Sequence, residues 1–240
     1  MSFPATRPAA ISKRMVTFPS GRVQVRAFLA RPKGRGPFPG LVVIQEWWGL
    51  NNHIMDVAAR FAKQGYLALA PDLYSRQGNA ATKDPAVAAR LMEKLAQRDA
   101  LADLGAALRF LQGQPAVDRR RIGTVGFCMG GTYALLLPCV RQGIRAAVPF
   151  YGQVPDPDAT LRNLTCPVLY VYGTRDEWIS AADVDRLRGA LERYGKAGEV
   201  ITYDAPHAFF NNSRRDTYRS EHAKDAWSRT LAFLAQHLSL

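Results

Sequence analysis

Short apolar runs alternate with stretches of helical periodicity along this 240-residue chain, and that alternation limits the possible folds more than any other feature. The run "GLVVIQEW" (40–47) is continuously apolar up to Gln45, as a strand covered on both faces must be. Residues 51–64 then repeat apolar side chains at helical spacing, through Ile54, Val57, Ala58, Phe61 and Ala62. The stretch "GYLALAPDLY" (65–74) reads as the next buried strand, and an Ala/Leu/Arg-rich helical pattern follows over about 85–112, in two pieces. "RIGTVGF" (121–127), "RAAVPFYG" (145–152), "CPVLYVYG" (166–173) and "EVITYD" (199–204) supply four more strands. Helices over 130–142, 181–194 and 217–238 separate or close them. Near the start, "VQVRAFLARP" (23–32) alternates with period two, which predicts a half-exposed antiparallel edge strand. The expected architecture is α/β, a mostly parallel central sheet with helices on both faces, in one domain over 1–240. In such a sheet, chemistry belongs in the loops that follow the carboxyl ends of strands.

Composition narrows the functional classes. At 48% hydrophobic and 22% charged, the chain has the apolar content of a globular protein with a sizeable core. No apolar stretch reaches membrane-spanning length, and the opening "MSFPATRPAAISKRM" lacks the apolar centre of a secretory leader, so a cytoplasmic location is expected. Three cysteines, Cys128, Cys139 and Cys166, are too few and too unevenly spaced for a disulfide framework or a zinc site. They suit a reducing compartment, and no metal or cofactor is expected. The net charge of +12 is spread along the chain, and its densest groups are only "DRRR" (118–121) and "SRRD" (213–216). No basic run interleaves with aromatics, so the charge argues for steering of anionic substrates rather than for nucleic acid. The expected partner is a small molecule, with neither nucleic acid nor membrane, and the chain is expected to be a monomer or a small homo-oligomer.

One junction carries chemistry. In Gly126-Phe127-Cys128-Met129-Gly130 an apolar strand gives way to a helical pattern within a few residues. That is the pattern of a nucleophile elbow, a sharp turn at 126–130 that exposes its central side chain above the sheet. The helix N-terminus beyond it would favour a thiolate. Alone, the stretch suits a small packing residue at a tight turn equally well. Cys139 and Cys166 sit inside a helix and at the start of a strand, and both read as core residues.

A hydrolase elbow requires the chain order nucleophile, acid, histidine. Of the four histidines, His53 precedes the elbow, and His222 and His237 lie in the terminal helical pattern. Only His207 follows a strand, in "YDAPHAFF". Asp176 lies just past "CPVLYVYG", whereas its rival Asp183 lies inside a helical pattern where a capping role fits better. Cys128, Asp176 and His207 thus occur in the required order, each after its own strand. His207 would exchange protons with the thiol and the leaving oxygen, and Asp176 would fix its tautomer. The amides of Met129 and of Trp47, in the loop after the 40–47 run, are the expected oxyanion donors.

With these residues assembled, the chain resembles the dienelactone hydrolase family (carboxymethylenebutenolidases) of the α/β-hydrolase fold. The segments "QEWWGLN", "GYLALAPDLYSRQG", "GFCMGG", "YGTRDEWI" and "HAFFN" carry the resemblance over nearly the whole chain. It implies hydrolysis of a lactone or carboxylic ester through an acyl-thioester on Cys128, with Asp176 and His207 as its partners. It also implies that Glu46 rests close to the thiol and becomes the base that generates thiolate when substrate binds. Two positions depart from the family pattern. An arginine expected four residues after the histidine is Asn211, with Arg214 and Arg215 beyond it, and a second arginine has Arg90 only as an approximate counterpart. Trp48, Arg90 and Asn211 are therefore the expected substrate contacts, and the paired Trp47 and Trp48 suggest a bulky or aromatic pocket wall. Two other readings keep the scaffold: an esterase or thioesterase for neutral or larger esters, and a non-catalytic thiol-sensing binding protein.

Overall fold

The computed structural model describes residues 10–239; residues 1–9, which belong to the stretch without a leader pattern, lie outside them. Strands β1 (Ile11–Ser20), β2 (Val23–Pro32), β3 (Phe38–Ile44), β4 (Leu67–Pro71), β5 (Val117–Phe127), β6 (Ala146–Phe150), β7 (Val168–Arg175) and β8 (Gly198–Pro206) form one sheet in the order β1-β2-β4-β3-β5-β6-β7-β8. From β4 to β8 all neighbours are parallel, while β2 pairs antiparallel with both β1 and β4. Among the described residues, six α-helices connect or follow the strands: α1 (Asn52–Lys63), α2 (Pro85–Glu93), α3 (Gln97–Gln112), α4 (Met129–Val140), α5 (Ala181–Arg193) and α6 (Ser220–Leu238).

The continuous apolar runs are explained by a core on each side of the sheet. In β3, Leu41 and Val43 join the layer formed with Ile54, Val57, Phe61 and Leu234, whereas Val42 and Ile44 join the layer of Leu104, Leu111 and Leu135. Successive side chains of a strand point to opposite faces, so a strand between two helix layers needs apolar residues at every position. Each such buried side chain contributes about 1.5–3 kcal/mol. Helix starts follow local chemistry. Asn51 accepts from the Ile54 amide, Asp84 accepts from the Ala86 amide ahead of Pro85, and Ser180 and Asp183 form a reciprocal capping box. No helix among the described residues is long and apolar enough to cross a membrane.

The N-terminal hairpin departs from the expectation. Residues 23–32 are not an edge strand, because β1 pairs along the whole of β2 and itself forms the sheet edge. β1, "ISKRMVTFPS", is mostly solvent-exposed and carries charges at its centre, so it lacks an apolar run by which to be recognised. The period-two pattern of β2 instead records one face packed more deeply than the other.

The topology also places the site. β4 lies on one side of β3 and β5 on the other, so the strand order reverses at β3. A crevice opens beyond the carboxyl ends of strands at such a switch point. The loops after β3 and β5, which carry Glu46 and Cys128, border it directly.

Candidate active site

Cys128 occupies the single residue between β5 and α4, with φ 56° and ψ −122°. A non-glycine residue there is strained by about 1–3 kcal/mol. The turn is held by its neighbours: the Cys128 amide donates to the Phe150 carbonyl (3.0 Å), and the Gly131 amide donates to the Cys128 carbonyl (2.8 Å). Glycine is required on both sides of it. A Cβ on Gly126 would overlap the Gly130 carbonyl, and one on Gly130 would overlap the carbonyls of Ile44 and Gln45. β3, β5 and α4 therefore meet backbone to backbone under the thiol. Cys128 is half-buried and lines a cavity of about 460 Å³.

Loops from two more strands bring His207 to the same cavity wall and Asp176 into contact with it, outside the lining. His207 Nδ1 lies 2.7 Å from Asp176 Oδ2, and the Asp176 side chain is wholly buried. Asp176 Oδ1 accepts from the amides of Trp178 (2.8 Å) and Ile179 (2.9 Å), so both carboxylate oxygens are engaged and the carboxyl cannot rotate freely. Burial opposes the imidazolium, but hydrogen bonds to Asp176 and Cys128, with the negative charge on each, outweigh it and raise the His207 pKa to about 10. The imidazole ring packs 4.9 Å from the Tyr151 ring.

The rejected alternatives are occupied elsewhere. Asp183 caps α5 and pairs with Arg186 at 2.6 Å. His53 sits 3.1 Å from Asn212 Oδ1, and burial lowers its pKa to about 4, which keeps it neutral. The His222 and His237 rings pack against Tyr203 and Phe233. Cys139 and Cys166 are buried, which pushes their thiols up to about 11 and about 12.

Glu46, directly after β3, is fully buried and lines the cavity beside Cys128. Its Oε2 accepts from Asn211 Nδ2 at 2.5 Å, and its Oε1 has no partner among the described residues. Burial raises its pKa to about 7, against the opposing pull of His207, Asn211 and Arg214. The orientation of Asn211 is settled independently. Its Oδ1 accepts from the Ser213 amide (2.9 Å) and hydroxyl (2.6 Å), which leaves Nδ2 to face Glu46.

Two of the expected substrate contacts lie outside the cavity lining. Asn211 is buried and outside the cavity lining, because its amide is spent on Glu46 and Ser213. Arg90 is exposed on α2, donates to the Ala86 carbonyl of its own helix, and is also absent from the lining. Trp48 does line the cavity, with the Arg214 guanidinium 4.8 Å from its ring centre. Trp47 stands edge-on to Trp48 (4.8 Å) and to Trp178 (5.6 Å). Residues 74–100 contribute Met92 and Gln97 to the wall.

The two expected oxyanion donors both belong to lining residues. Met129 opens α4, where an amide has no acceptor within the helix. The Glu46 carbonyl accepts from the Gly49 amide, which turns the Trp47 N–H of the same peptide to the opposite side. The Tyr74 hydroxyl donates to the Trp47 carbonyl at 2.8 Å and anchors the loop. Among the lining residues that the sequence reading did not single out are two aromatics, Trp178, 60% exposed, and Tyr151, fully buried. Both follow strands, so the same rule that selected Asp176 and His207 would have found them had aromatic residues been included.

Among the described residues, no group of three or more His, Cys, Asp or Glu side chains is arranged to hold a metal ion. What the cavity offers is a thiol, an imidazole–carboxylate pair, a buried carboxyl and two backbone donors, a set suited to acyl transfer.

Comparison with known proteins agrees with this geometry. The model of the dienelactone hydrolase family matches residues 25–238. A candidate carboxymethylenebutenolidase of Methylorubrum extorquens is 35% identical over 225 residues, covering 89% of this chain and 77% of its own. A Bradyrhizobium protein named as a candidate 2-oxo-3-(5-oxofuran-2-ylidene)propanoate lactonase is 33% identical, covering 88% of this chain and 89% of its own. The crystal structure of a candidate dienelactone hydrolase from Klebsiella pneumoniae superposes with a TM-score of 0.89 at 34% identity, covering 95% of this chain and 99% of the other. The chain therefore belongs to the dienelactone hydrolase family, enzymes of the α/β-hydrolase fold that act on lactone and ester bonds.

Proposed function

We propose that the chain hydrolyses a lactone or carboxylic ester through an acyl-thioester on Cys128, with His207 and Asp176 as its catalytic partners. The observation that carries this reading is the 2.7 Å contact between His207 Nδ1 and Asp176 Oδ2 at the wall of the cavity that exposes Cys128. Asp176 stabilises an imidazolium and directs the other ring nitrogen towards the thiol. The thiol gives up its proton, and Sγ bonds to the substrate carbonyl carbon. The oxyanion so formed is received by the Met129 and Trp47 amides. As the C–O bond breaks, the imidazolium protonates the leaving oxygen. In a lactone that oxygen stays attached to the acyl group. Water then attacks the thioester carbon, the C–S bond breaks, and the acid is released.

Glu46 is the acceptor for the thiol proton when substrate is bound. A carboxyl with its pKa near 7 is poised between its two forms at neutral pH, as a proton acceptor that must also rest uncharged has to be. Asn211, as a neutral donor, steadies the carboxylate without adding a full positive charge.

The substrate is a neutral or aromatic ester rather than a small dianion. Asn211 and Arg90 make no contact with the cavity, whereas Trp47, Trp48 and Trp178 form a continuous aromatic wall. Two arginines line the cavity: Arg214, over the Trp48 ring, and Arg175, whose charge is paired with Asp204 at 2.8 Å. The test is hydrolysis of enol-lactones and aryl esters, charged and neutral, by the wild type and by Cys128→Ala. The wild type should carry an acyl group on Cys128 by intact mass during turnover, and the variant should lose at least about a thousandfold in kcat/KM. Equal rates in the two proteins would overturn the mechanism, and ligand binding without any acyl-enzyme would favour a thiol-sensing protein instead.

A further inference from the structure

Two buried polar atoms of one cavity have no protein partner among the described residues, and the mechanism above gives a role to only one of the two residues that carry them. One is Glu46 Oε1 and the other is the Tyr151 hydroxyl. Both residues are wholly buried, and both line the cavity that exposes Cys128. Burying a hydroxyl or a carboxyl oxygen without a partner costs free energy, so native proteins seldom keep two together without a use.

Tyr151 is also held in an unfavourable backbone conformation. Its φ is 39°, in the left-handed region that a bulky side chain rarely adopts. The strain is held in place by the Tyr151 amide, which donates to the Val171 carbonyl at 2.8 Å, and by the ring, which packs 4.9 Å from that of His207. β6 ends at Phe150, so Tyr151 is the first residue past the strand, and its side chain lines the cavity. Strain of this kind persists where the surroundings enforce it, and it clusters at functional positions.

We infer that the Tyr151 hydroxyl and Glu46 Oε1 form a subsite for a single O–H group, which accepts from Tyr151 and donates to Glu46. The chemistry of the pair selects this ligand. With Glu46 ionised, a carboxylate there would face its charge and an ether or ester oxygen would leave Oε1 unsatisfied, whereas an O–H group offers one lone pair to Tyr151 and one hydrogen to Glu46. Burial holds the Tyr151 phenol well above its ordinary pKa, and the neighbouring charges of Glu46, Cys128 and Asp176 act in the same direction. The phenol therefore stays a donor throughout the working pH range.

Two oxygens of this chemistry reach the cavity during turnover: the hydrolytic water and a hydroxyl carried by the substrate. For the water, the subsite holds the oxygen while it bonds to the thioester carbon. One water proton passes to His207, the C–S bond breaks, and the released thiolate takes back its proton from Glu46. For a substrate hydroxyl, the subsite selects hydroxylated acyl groups and takes no part in bond breaking.

The subsite rests on the acyl-thioester reading, and Tyr151→Phe tests it separately. The substitution removes one oxygen and leaves no group newly unpaired, so the thermal midpoint should stay level or rise. With 4-nitrophenyl acetate, whose acyl group has no hydroxyl, a water-holding subsite predicts an intact burst, steady-state turnover slower by about tenfold, and accumulation of acetylated Cys128. A subsite for a substrate hydroxyl predicts unchanged acetate kinetics, with a KM increase of about tenfold confined to 4-nitrophenyl hydroxyacetate. Wild-type kinetics on both esters would overturn the inference, as would a loss of activity that tracks a lower thermal midpoint. If the wild type forms no acyl-Cys128, the mechanism fails rather than the subsite alone.

Discussion

Replacing Asn211 by leucine isolates what a neutral donor does for a buried base. Leucine has similar bulk but cannot donate to Glu46 Oε2, now 2.5 Å from Asn211 Nδ2. A hydrogen bond to a charged group is worth about 1.5–3 kcal/mol, and about 1.4 kcal/mol corresponds to one pKa unit. The Glu46 carboxylate, already raised to about 7 by burial, should therefore titrate about one to two units higher in the variant. If Glu46 must be ionised to take the thiol proton, kcat/KM climbs with pH as Glu46 deprotonates. In Asn211→Leu that rising limb should move up by the same one to two units, and activity at pH 7 should fall about five- to fiftyfold. The assay is a pH–rate profile of kcat/KM for a neutral aryl ester, with a thermal melt at each pH to establish folding. Leucine also removes the acceptor for the Ser213 amide and hydroxyl, which should lower stability by about 1–3 kcal/mol. Ser213→Ala is the control: it removes the hydroxyl's bond to Asn211 but leaves the donor to Glu46, so its limb should not move. A folded Asn211→Leu protein whose limb stays at the wild-type pH would refute the coupling between Asn211 and the base.

Stability itself should fall as the solution becomes alkaline. The Glu46 pKa rises from 4.5 to about 7 on folding, so the folded state holds more protons between those values and loses about 3 kcal/mol as pH climbs through that window. His207, raised from 6.5 to about 10, acts with the same sign: its contribution is complete below pH 6.5 and disappears as pH rises towards 10. Denaturant midpoints from pH 5 to 9 would measure both, and a flat or rising curve would contradict them. In the pocket, Trp178→Ala removes an aromatic wall but keeps the backbone amide that binds Asp176. It should raise KM for aryl esters by about three- to tenfold, the worth of one aromatic contact, more than for alkyl esters. Arg90→Ala, on an exposed helix face away from the cavity, should leave kcat/KM for an anionic ester unchanged; a clear loss would return Arg90 to the binding site.

The parts of this molecule legible in the sequence are those governed by local rules, and the parts that were not depend on long-range contacts. Apolar runs flanked by turn residues marked β3 to β8 because a strand between two helix layers has no polar face to spare. β1 gave no such sign, since an edge strand half in solvent can carry Lys13 and Arg14 without loss. The elbow was legible because the backbone contacts at Gly126 and Gly130 permit only the smallest residue, and the order of Asp176 and His207 followed from the order of strands. Asn211 shows where that reasoning stops. Its partner Glu46 lies 165 residues away in sequence, and only the folded chain reveals that its amide is hydrogen-bonded to that carboxyl rather than facing the cavity. The same holds for Tyr151, whose strained φ and unpaired hydroxyl are properties of its surroundings rather than of the letters around it. A neutral residue at 211 also alters what the site can accept. An arginine there would stabilise ionised Glu46 in the resting enzyme by direct charge attraction. With asparagine, the burial that raises the Glu46 pKa is only partly offset, so any bound group that adds a donor or positive charge near Oε1 shifts the base towards its active form. Under the proposed mechanism, the unpaired oxygen is thus the point at which substrate acts on the Glu46 carboxyl.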